Sequence, residues 1–159
     1  MKSKIAISLA TLFFLIASVG CSKDDEHQVC REPNITMIVD GELQTFQALG
    51  YGIDLEGNGH RLELYFHRYQ AEPYLEQGGF ITLRFKKTGE NIIEKISWHQ
   101  YKDGLTFNSE LNQAEIQSNV EMNTEWCFYG SFSGKFDDGN QQIVVSDAKV
   151  SYIYNEPMN

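Results

Sequence analysis

The sequence predicts an all-β domain, built as an antiparallel β-sandwich of about nine strands. Three observations lead to this prediction. Apolar residues alternate with polar ones over short runs, which places every second side chain on a common face of a strand. Aromatic residues make up 13% of the chain against only three prolines, and aromatic side chains favour strands. Turn sequences rich in glycine separate the runs, and no segment shows apolar residues at helical spacing.

The first 21 residues have the three zones of a secretory signal. A short basic segment, Met1–Lys4, precedes the apolar run Ile5–Ala17, and small residues then lead to Cys21. Thirteen residues of helix span about 20 Å, which is shorter than the roughly 30 Å hydrocarbon core of a bilayer. Residues 1–20 are therefore predicted to be a cleaved signal peptide rather than a membrane span.

The cleavage site Ser18-Val19-Gly20-Cys21 resembles the lipobox of bacterial lipoproteins, with Ser18 where leucine is usual. The resemblance implies that the Cys21 thiol receives a diacylglyceryl group, with acyl chains such as palmitate, and becomes the new N-terminus. Several acyl chains on one residue give stable membrane anchoring, because each buried methylene contributes about 0.8 kcal/mol.

A short acidic run directly after Cys21 resembles the export signal of Bacteroidota lipoproteins. That resemblance implies an outer-membrane lipoprotein displayed at the cell surface, with residues 21–34 forming a flexible acidic tether. The residues concerned are Ser22, Lys23, Asp24, Asp25 and Glu26.

Residues 35–159 are expected to form a single β domain that opens with a hairpin. Ile35–Val39 is predicted as a strand and Leu43–Ala48 as its return. Asp40-Gly41 between them fits a type I′ turn, in which both central residues have positive φ. The hairpin register then pairs Val39 with Glu42, Met37 with Gln44 and Ile35 with Phe46.

The remaining strands follow from the same alternation. They are predicted at residues 60–69, 80–86, 96–101, 105–108, 114–122, 126–136 and 142–154, while residues 49–55 form a further apolar run. Residues 70–79 are expected to form a long loop that crosses between two sheets. So many strands with aromatic side chains do not remain one open sheet, which leaves a sandwich or, as the alternative, a small lipocalin-like barrel.

Two short motifs are similar to those of small Bacteroidota lipoprotein domains of undefined activity. Val39-Asp40-Gly41 ends the first strand, and Gly130-Ser131-Phe132-Ser133-Gly134 lies in the C-terminal hairpin. The resemblance supports the architecture and the location, and it implies no activity.

Two cysteines remain once Cys21 is lipidated. An even pair in a protein outside the cytoplasm is commonly a disulfide. Cys30 and Cys127 are therefore expected to join the end of the tether to the C-terminal hairpin. The alternative is two free thiols, one of them buried.

Charge and motifs narrow the classes of function. The formal charge is −9, and loss of Lys2 and Lys4 gives the mature chain −9 − 2 = −11, which disfavours nucleic acid as a partner. The sequence contains no His-Glu-x-x-His, Cys-x-x-Cys or Gly-x-Ser-x-Gly motif. Neither a metal site, nor a cofactor, nor an enzymatic activity is predicted.

One polar strand face is the candidate binding site. Aromatic and hydrogen-bonding side chains on a single face suit a flat ligand site, although they also occur as ordinary partners within a sheet. The leading hypothesis is a cell-surface module that contacts a glycan or a protein. Alternatives are an accessory lipoprotein facing the periplasm and, for a barrel, a small-ligand carrier. The candidate residues are Arg61, Glu63, Tyr65, His67 and Tyr69.

Overall fold

The structure is a computed structural model that describes residues 29–54 and 60–158. The predicted signal peptide, Cys21 and the export-signal-like residues lie outside this range. The described chain forms ten strands and one 3₁₀ turn. They are β1 (Asn34–Val39), β2 (Glu42–Asp54), β3 (Arg61–Gln70), β4 (Leu75–Arg84), β5 (Gly89–Glu90), β6 (Ile93–Lys102), β7 (Leu105–Asn112), the 3₁₀ turn Gln113–Glu115, β8 (Gln117–Asn123), β9 (Cys127–Asp137) and β10 (Gln142–Ile153).

The strands form one antiparallel sheet in the order β5-β8-β9-β10-β1-β2-β3-β4-β6-β7, which confirms the predicted all-β class. The sheet curls until β7 approaches β9. Ser109 Oγ accepts a hydrogen bond from the Asp137 N–H at 3.1 Å and lies 2.9 Å from the Asp137 carbonyl oxygen. Two layers were expected as separate sheets; here they are two halves of one sheet, which combines features of a sandwich and a barrel.

A β-bulge in β2 divides the sheet into its two halves. Residues 42–46 of β2 pair with β1, and residues 47–54 pair with β3, with Leu49 as the extra residue between Ala48 and Gly50. A bulge bends its strand and increases the local twist. The Tyr152 hydroxyl holds this bend, because it accepts the Gly50 N–H at 3.1 Å and lies 2.8 Å from the Gly50 carbonyl oxygen, beside the carbonyl of Tyr65.

Aromatic side chains fill the space between the halves. Trp98 is completely buried, and its ring centroid lies 5.7 Å from that of Phe46, 5.8 Å from Phe66 and 5.5 Å from Phe136. Leu62, Leu64 and Phe66 all point into this core, as their alternation in the sequence predicts.

The first hairpin has the predicted register at every pair, and both turn residues have positive φ, 50° at Asp40 and 86° at Gly41. Asp40 also ties the hairpin to β10. Its carboxylate accepts the Val144 N–H at 2.8 Å, and its own N–H donates to the Val144 carbonyl at 2.9 Å.

The predicted loop at residues 70–79 is wrong. Only residues 71–74 form a turn, and β4 begins at Leu75. Gly78 and Gly79, which suggested a loop, lie within β4. Glycine stands at both positions because neighbouring groups leave no room for a side chain. A Cβ at Gly79 would overlap the carbonyl oxygen of Ser97, and one at Gly78 would lie 2.8 Å from the carbonyl oxygen of Phe66.

Several strand boundaries also differ from the prediction, because β2 runs unbroken from Glu42 to Asp54, β6 starts at Ile93 and β7 extends to Asn112. Two further differences lie at the starts of β8 and β9. Residues 113–115 form a 3₁₀ turn, and β8 starts at Gln117, because Glu115 reaches back to accept the Asn112 N–H at 3.0 Å. Trp126 precedes β9 and is exposed, whereas Phe128, Phe132 and Phe136 are buried as expected. The alternating pattern thus identified the inward face but extended it too far at both strand starts.

Candidate functional site

The described part of the chain begins at Val29, within the segment predicted to be a tether, and this part is fixed to the sheet. Cys30 and Cys127 form the predicted disulfide. The guanidinium of Arg31 lies 3.5 Å above the centre of the Tyr129 ring and donates to Glu121 at 2.7 Å. Ser151 Oγ donates to the Arg31 carbonyl at 3.2 Å. Contact with the domain thus starts at Cys30, before residue 34 where the sequence predicted the tether to end.

The candidate site is a surface groove on the outer face of β3, β4, β6 and β7. Strand register brings its residues into two adjacent rows. A surface cavity of about 720 Å³ opens along Glu76, His99, Tyr101, Thr106 and Asn108, and Tyr74 also lines it. We call this cavity, together with His67 and Tyr69 that lie beside it against Glu76 and Tyr74, the tyrosine groove. One row is Tyr69, Glu76, Tyr101 and Thr106; the other is His67, Gly78, His99 and Asn108.

Three tyrosines form an exposed strip along one side of the tyrosine groove. Tyr74, in the turn before β4, lies between the other two, with ring centroids 5.6 Å from Tyr69 and 5.5 Å from Tyr101. Both contacts are edge to face, the preferred arrangement for aromatic pairs. The side chains remain 58% (Tyr69), 41% (Tyr74) and 40% (Tyr101) exposed, so the strip presents apolar surface that no described residue covers.

Glu76 organises the polar side of the groove. Its Oε1 lies 3.3 Å from His67 Nε2, and its Oε2 accepts the Tyr74 hydroxyl at 3.3 Å. Removal of Tyr74 from water and the neighbouring Glu76 carboxylate both raise the pKa of the Tyr74 phenol. A tyrosine with its ordinary pKa near 10 is already protonated at neutral pH, so Tyr74 can donate its hydroxyl proton to Glu76.

His99 forms the floor of the tyrosine groove. Its ring occupies the space above Gly78, since a Cβ at Gly78 would lie 2.8 Å from His99 Cε1. Partial burial lowers the pKa of His99 below its usual 6.5; Glu76 opposes that shift, and His67 adds to it. A neutral imidazole carries one donor and one acceptor nitrogen, so the floor can accept and donate hydrogen bonds.

The predicted binding row on β3 is divided between two environments. His67 and Tyr69 join the tyrosine groove. Arg61 instead pairs with Glu94 at 3.2 Å, in an ion pair that Arg84 shares at 3.5 Å.

Tyr65 also lies outside the groove. It donates to Glu63 at 2.5 Å, and this hydrogen bond is the main cause of the raised pKa of Tyr65. All five predicted residues lie on the outer face, but only the C-terminal two contribute to the groove.

None of the residues that line the cavity was identified from the sequence; the most prominent are Tyr74, Glu76, His99 and Tyr101. Tyr74 and Glu76 fall in the segment that was assigned to a loop, so their strand parity was not considered. A signal was present in the sequence, because Tyr101 and His99 are two residues apart, as are Tyr69 and His67. Only the register of β3, β4 and β6 shows that these two pairs are adjacent.

The groove and the disulfide lie at opposite ends of the sheet. Tyr69, Tyr74 and Tyr101 adjoin the turns at residues 71–74 and 103–104. Cys127 starts β9, and β9 reaches the end that carries those turns only at Asp137, ten residues later. By strand direction, the disulfide and the groove therefore adjoin opposite strand ends.

Within residues 29–54 and 60–158, no cluster of three or more His, Cys, Asp and Glu side chains has the geometry to hold a metal ion. None of the helices described in that range is long and apolar enough to cross a membrane. Comparison with known proteins finds no matching family model, no similar curated protein and no similar solved structure.

Proposed function

We propose that this protein is a lipid-anchored lipoprotein of the bacterial outer membrane and that its β domain binds a ligand at the cell surface through the tyrosine groove. The observation that carries the binding role is the strip of three exposed tyrosines beside His67, Glu76 and His99. Aromatic side chains are enriched at the energetic centres of binding sites. Here they lie on the outside of a domain whose core is already filled by Trp98 and its neighbours.

The position of the disulfide supports this role. Nine residues lead from Cys21 to Cys30, so the disulfide lies at most about 30 Å from the lipidated thiol. The groove adjoins the opposite ends of the strands. A Cys30–Cys127 bond also fits a protein that folds outside the reducing cytoplasm.

Two alternatives receive less support. A carrier for a small apolar ligand needs an enclosed apolar cavity, whereas Phe46, Phe66, Trp98 and Phe136 fill the centre of the sheet. A periplasm-facing accessory lipoprotein would share the anchor and the fold, so the location of the domain distinguishes it from a surface module.

Protease treatment of intact cells tests the location, with cells of permeabilised outer membrane as the control. Digestion of the domain in intact cells is the expected result, and protection until permeabilisation would contradict surface display. A matched variant replaces Lys23, Asp24, Asp25 and Glu26 with alanine. It should remain membrane-bound but become protected in intact cells, because the anchor at Cys21 is retained.

Photocrosslinking in living cells tests the groove. A benzophenone amino acid at position 101 inserts into nearby C–H bonds of any polypeptide or glycan, and position 144, exposed on β10, is the matched control. We expect covalent adducts at position 101 and not at position 144. Equal labelling at the two positions, or none at position 101, would contradict a binding role for the groove.

A further inference from the structure

We propose that the tyrosine groove binds an uncharged oligosaccharide. This inference rests on the proposed binding function and names the chemical class of its ligand. Three properties of the groove lead to it: its charge, its shape and the pairing of aromatic surface with hydrogen-bonding groups.

The charge of the groove disfavours anionic ligands. Glu76 and Asp103 line it, and its described lining includes neither lysine nor arginine. His99 at the floor is neutral at physiological pH because its pKa is lowered. A phosphorylated, sulfated or uronic-acid ligand would therefore meet carboxylates without a compensating cation.

The arrangement of the rings disfavours a small cation. Cages for quaternary ammonium groups place aromatic faces around the cation. Here the Tyr74 ring lies between those of Tyr69 and Tyr101, at 5.6 and 5.5 Å, and so occupies the space that a caged cation would need. Glu76, the nearest carboxylate, already interacts with His67 and with the Tyr74 hydroxyl.

A neutral sugar fits both the exposed tyrosine rings and the hydrogen-bonding side chains of the groove. Its C–H face packs on an exposed tyrosine ring, while its hydroxyls donate and accept hydrogen bonds. Thr106, Asn108 and His99 provide side chains of both kinds next to Tyr101. Thr106 and Asn108 belong to β7, the last strand of the sheet order, so the hydrogen-bonding lining extends from Tyr101 to the end of the sheet.

The test uses the purified full-length protein in a zwitterionic detergent, since detergents with sugar head groups would compete. The probes are neutral glycans (β-1,4-, β-1,3- and α-1,4-glucans, mannan and galactan) with polygalacturonate and heparin as charged counterparts. We expect binding to at least one neutral glycan and none to the charged ones. Binding to no neutral glycan, or preference for a charged one, would overturn the inference.

Variants locate the site. Tyr101→Ala and Tyr74→Ala should each weaken glycan binding about tenfold, as expected for loss of an aromatic contact, whereas Tyr101→Phe should retain binding within about threefold. Tyr65→Ala removes an exposed tyrosine from the same sheet face outside the groove and should leave the affinity unchanged. An unchanged affinity in Tyr101→Ala would overturn the assignment, provided that the melting temperatures of the variants agree.

The saccharide inference and the proposed function fail in different ways. Adducts at position 101 with a polypeptide, together with absence of glycan binding, would retain the binding groove and exclude the sugar ligand. If position 101 gives no adduct and no glycan binds, both the groove function and the ligand class are wrong.

Discussion

Two groups of three tyrosines occupy opposite situations in this domain. Tyr152 and Tyr154 are buried in the interior and the partly buried Tyr51 packs against both, with centroid distances from 4.7 to 6.5 Å. Tyr69, Tyr74 and Tyr101 pack at similar distances on the surface. The distances between the rings therefore do not show whether a group of tyrosines stabilises the fold or is available to a ligand.

Burial and the partners of the hydroxyls distinguish the groups. Tyr152 is 4% exposed and its hydroxyl fastens the β2 bulge, while Tyr51 accepts the Asn155 N–H at 3.2 Å. In the groove, by contrast, half of each ring faces solvent. The interior group holds the fold, and the surface group is available to a ligand.

The largest expected effect on stability comes from truncating one tyrosine of each group to alanine. Tyr152→Ala should lower the free energy of unfolding by about 3–5 kcal/mol, because it removes a buried ring and the bond to the bulge. Tyr101→Ala should cost less than about 1 kcal/mol. Urea denaturation of both variants measures the difference, and equal losses would show that the groove tyrosines are also part of the core.

A second substitution tests the close strand approach that positions Tyr74 and Glu76. Gly79→Ala should destabilise the protein by about 3 kcal/mol, since its Cβ overlaps the Ser97 carbonyl and overpacking costs roughly 1–3 kcal/mol or more. Gly52→Ala is the control, because no atom lies within 4 Å of its added Cβ. Similar thermal unfolding of the two variants would argue against the described pairing of β4 with β6.

The third prediction concerns two buried tyrosines, each replaced by phenylalanine in a separate variant that lacks only the hydroxyl oxygen. Tyr152→Phe should cost about 1–2 kcal/mol, because backbone groups of Gly50 lose a buried partner. Tyr154→Phe should be neutral or slightly stabilising, since no described residue is a hydrogen-bond partner of the buried Tyr154 hydroxyl. Chemical denaturation of both variants decides the matter, and a greater loss in Tyr154→Phe would reverse the assigned roles.

The smallest effect concerns pH. The folded protein binds a proton at His99 less readily than the unfolded chain, because partial burial lowers the folded pKa below 6.5. Stability from this source is thus complete above pH 6.5 and is lost as the pH falls from 6.5 towards the folded pKa. Unfolding free energies between pH 7.5 and 5.5 should decrease less in His99→Gln than in the wild type.

His67 and Glu76 both act on the His99 imidazole. The variant His67→Gln therefore shows how much of the pH dependence at His99 requires His67. His60→Gln, at an exposed position outside the groove, controls for the loss of one histidine. Parallel pH profiles for the wild type and His99→Gln would contradict the assignment.

Local patterns predicted much of the secondary structure. Asp40-Gly41 specified its hairpin to the residue, because only a few residue pairs accept two positive φ angles in succession. Alternation identified the inward faces of β3 and β9. The segment 70–79 was assigned incorrectly because glycine indicates a turn locally, whereas Gly78 and Gly79 serve contacts with β3 and β6 that are distant in sequence.

The candidate site was predicted only in part for the same reason. The sequence placed His67 and Tyr69 on a polar face, but it gave that face Arg61 and Tyr65 as equal members. Ion pairing with Glu94 and hydrogen bonding to Glu63 engage those two side chains. These partners depend on register between strands, which a single strand's pattern does not contain.

By itself, the sequence determined the all-β class, the inward faces of the strands and the first hairpin, and it favoured a Cys30–Cys127 disulfide over two free thiols. These features depend on local backbone preference, period-two alternation and the presence of two cysteines besides Cys21. The tertiary structure decided how β2 bends between the two halves of the sheet, which tyrosines are buried, and that Tyr69, Tyr74 and Tyr101 meet around Glu76. Such outcomes arise from packing between distant strands, where space and hydrogen-bond partners are set by residues far away in the chain.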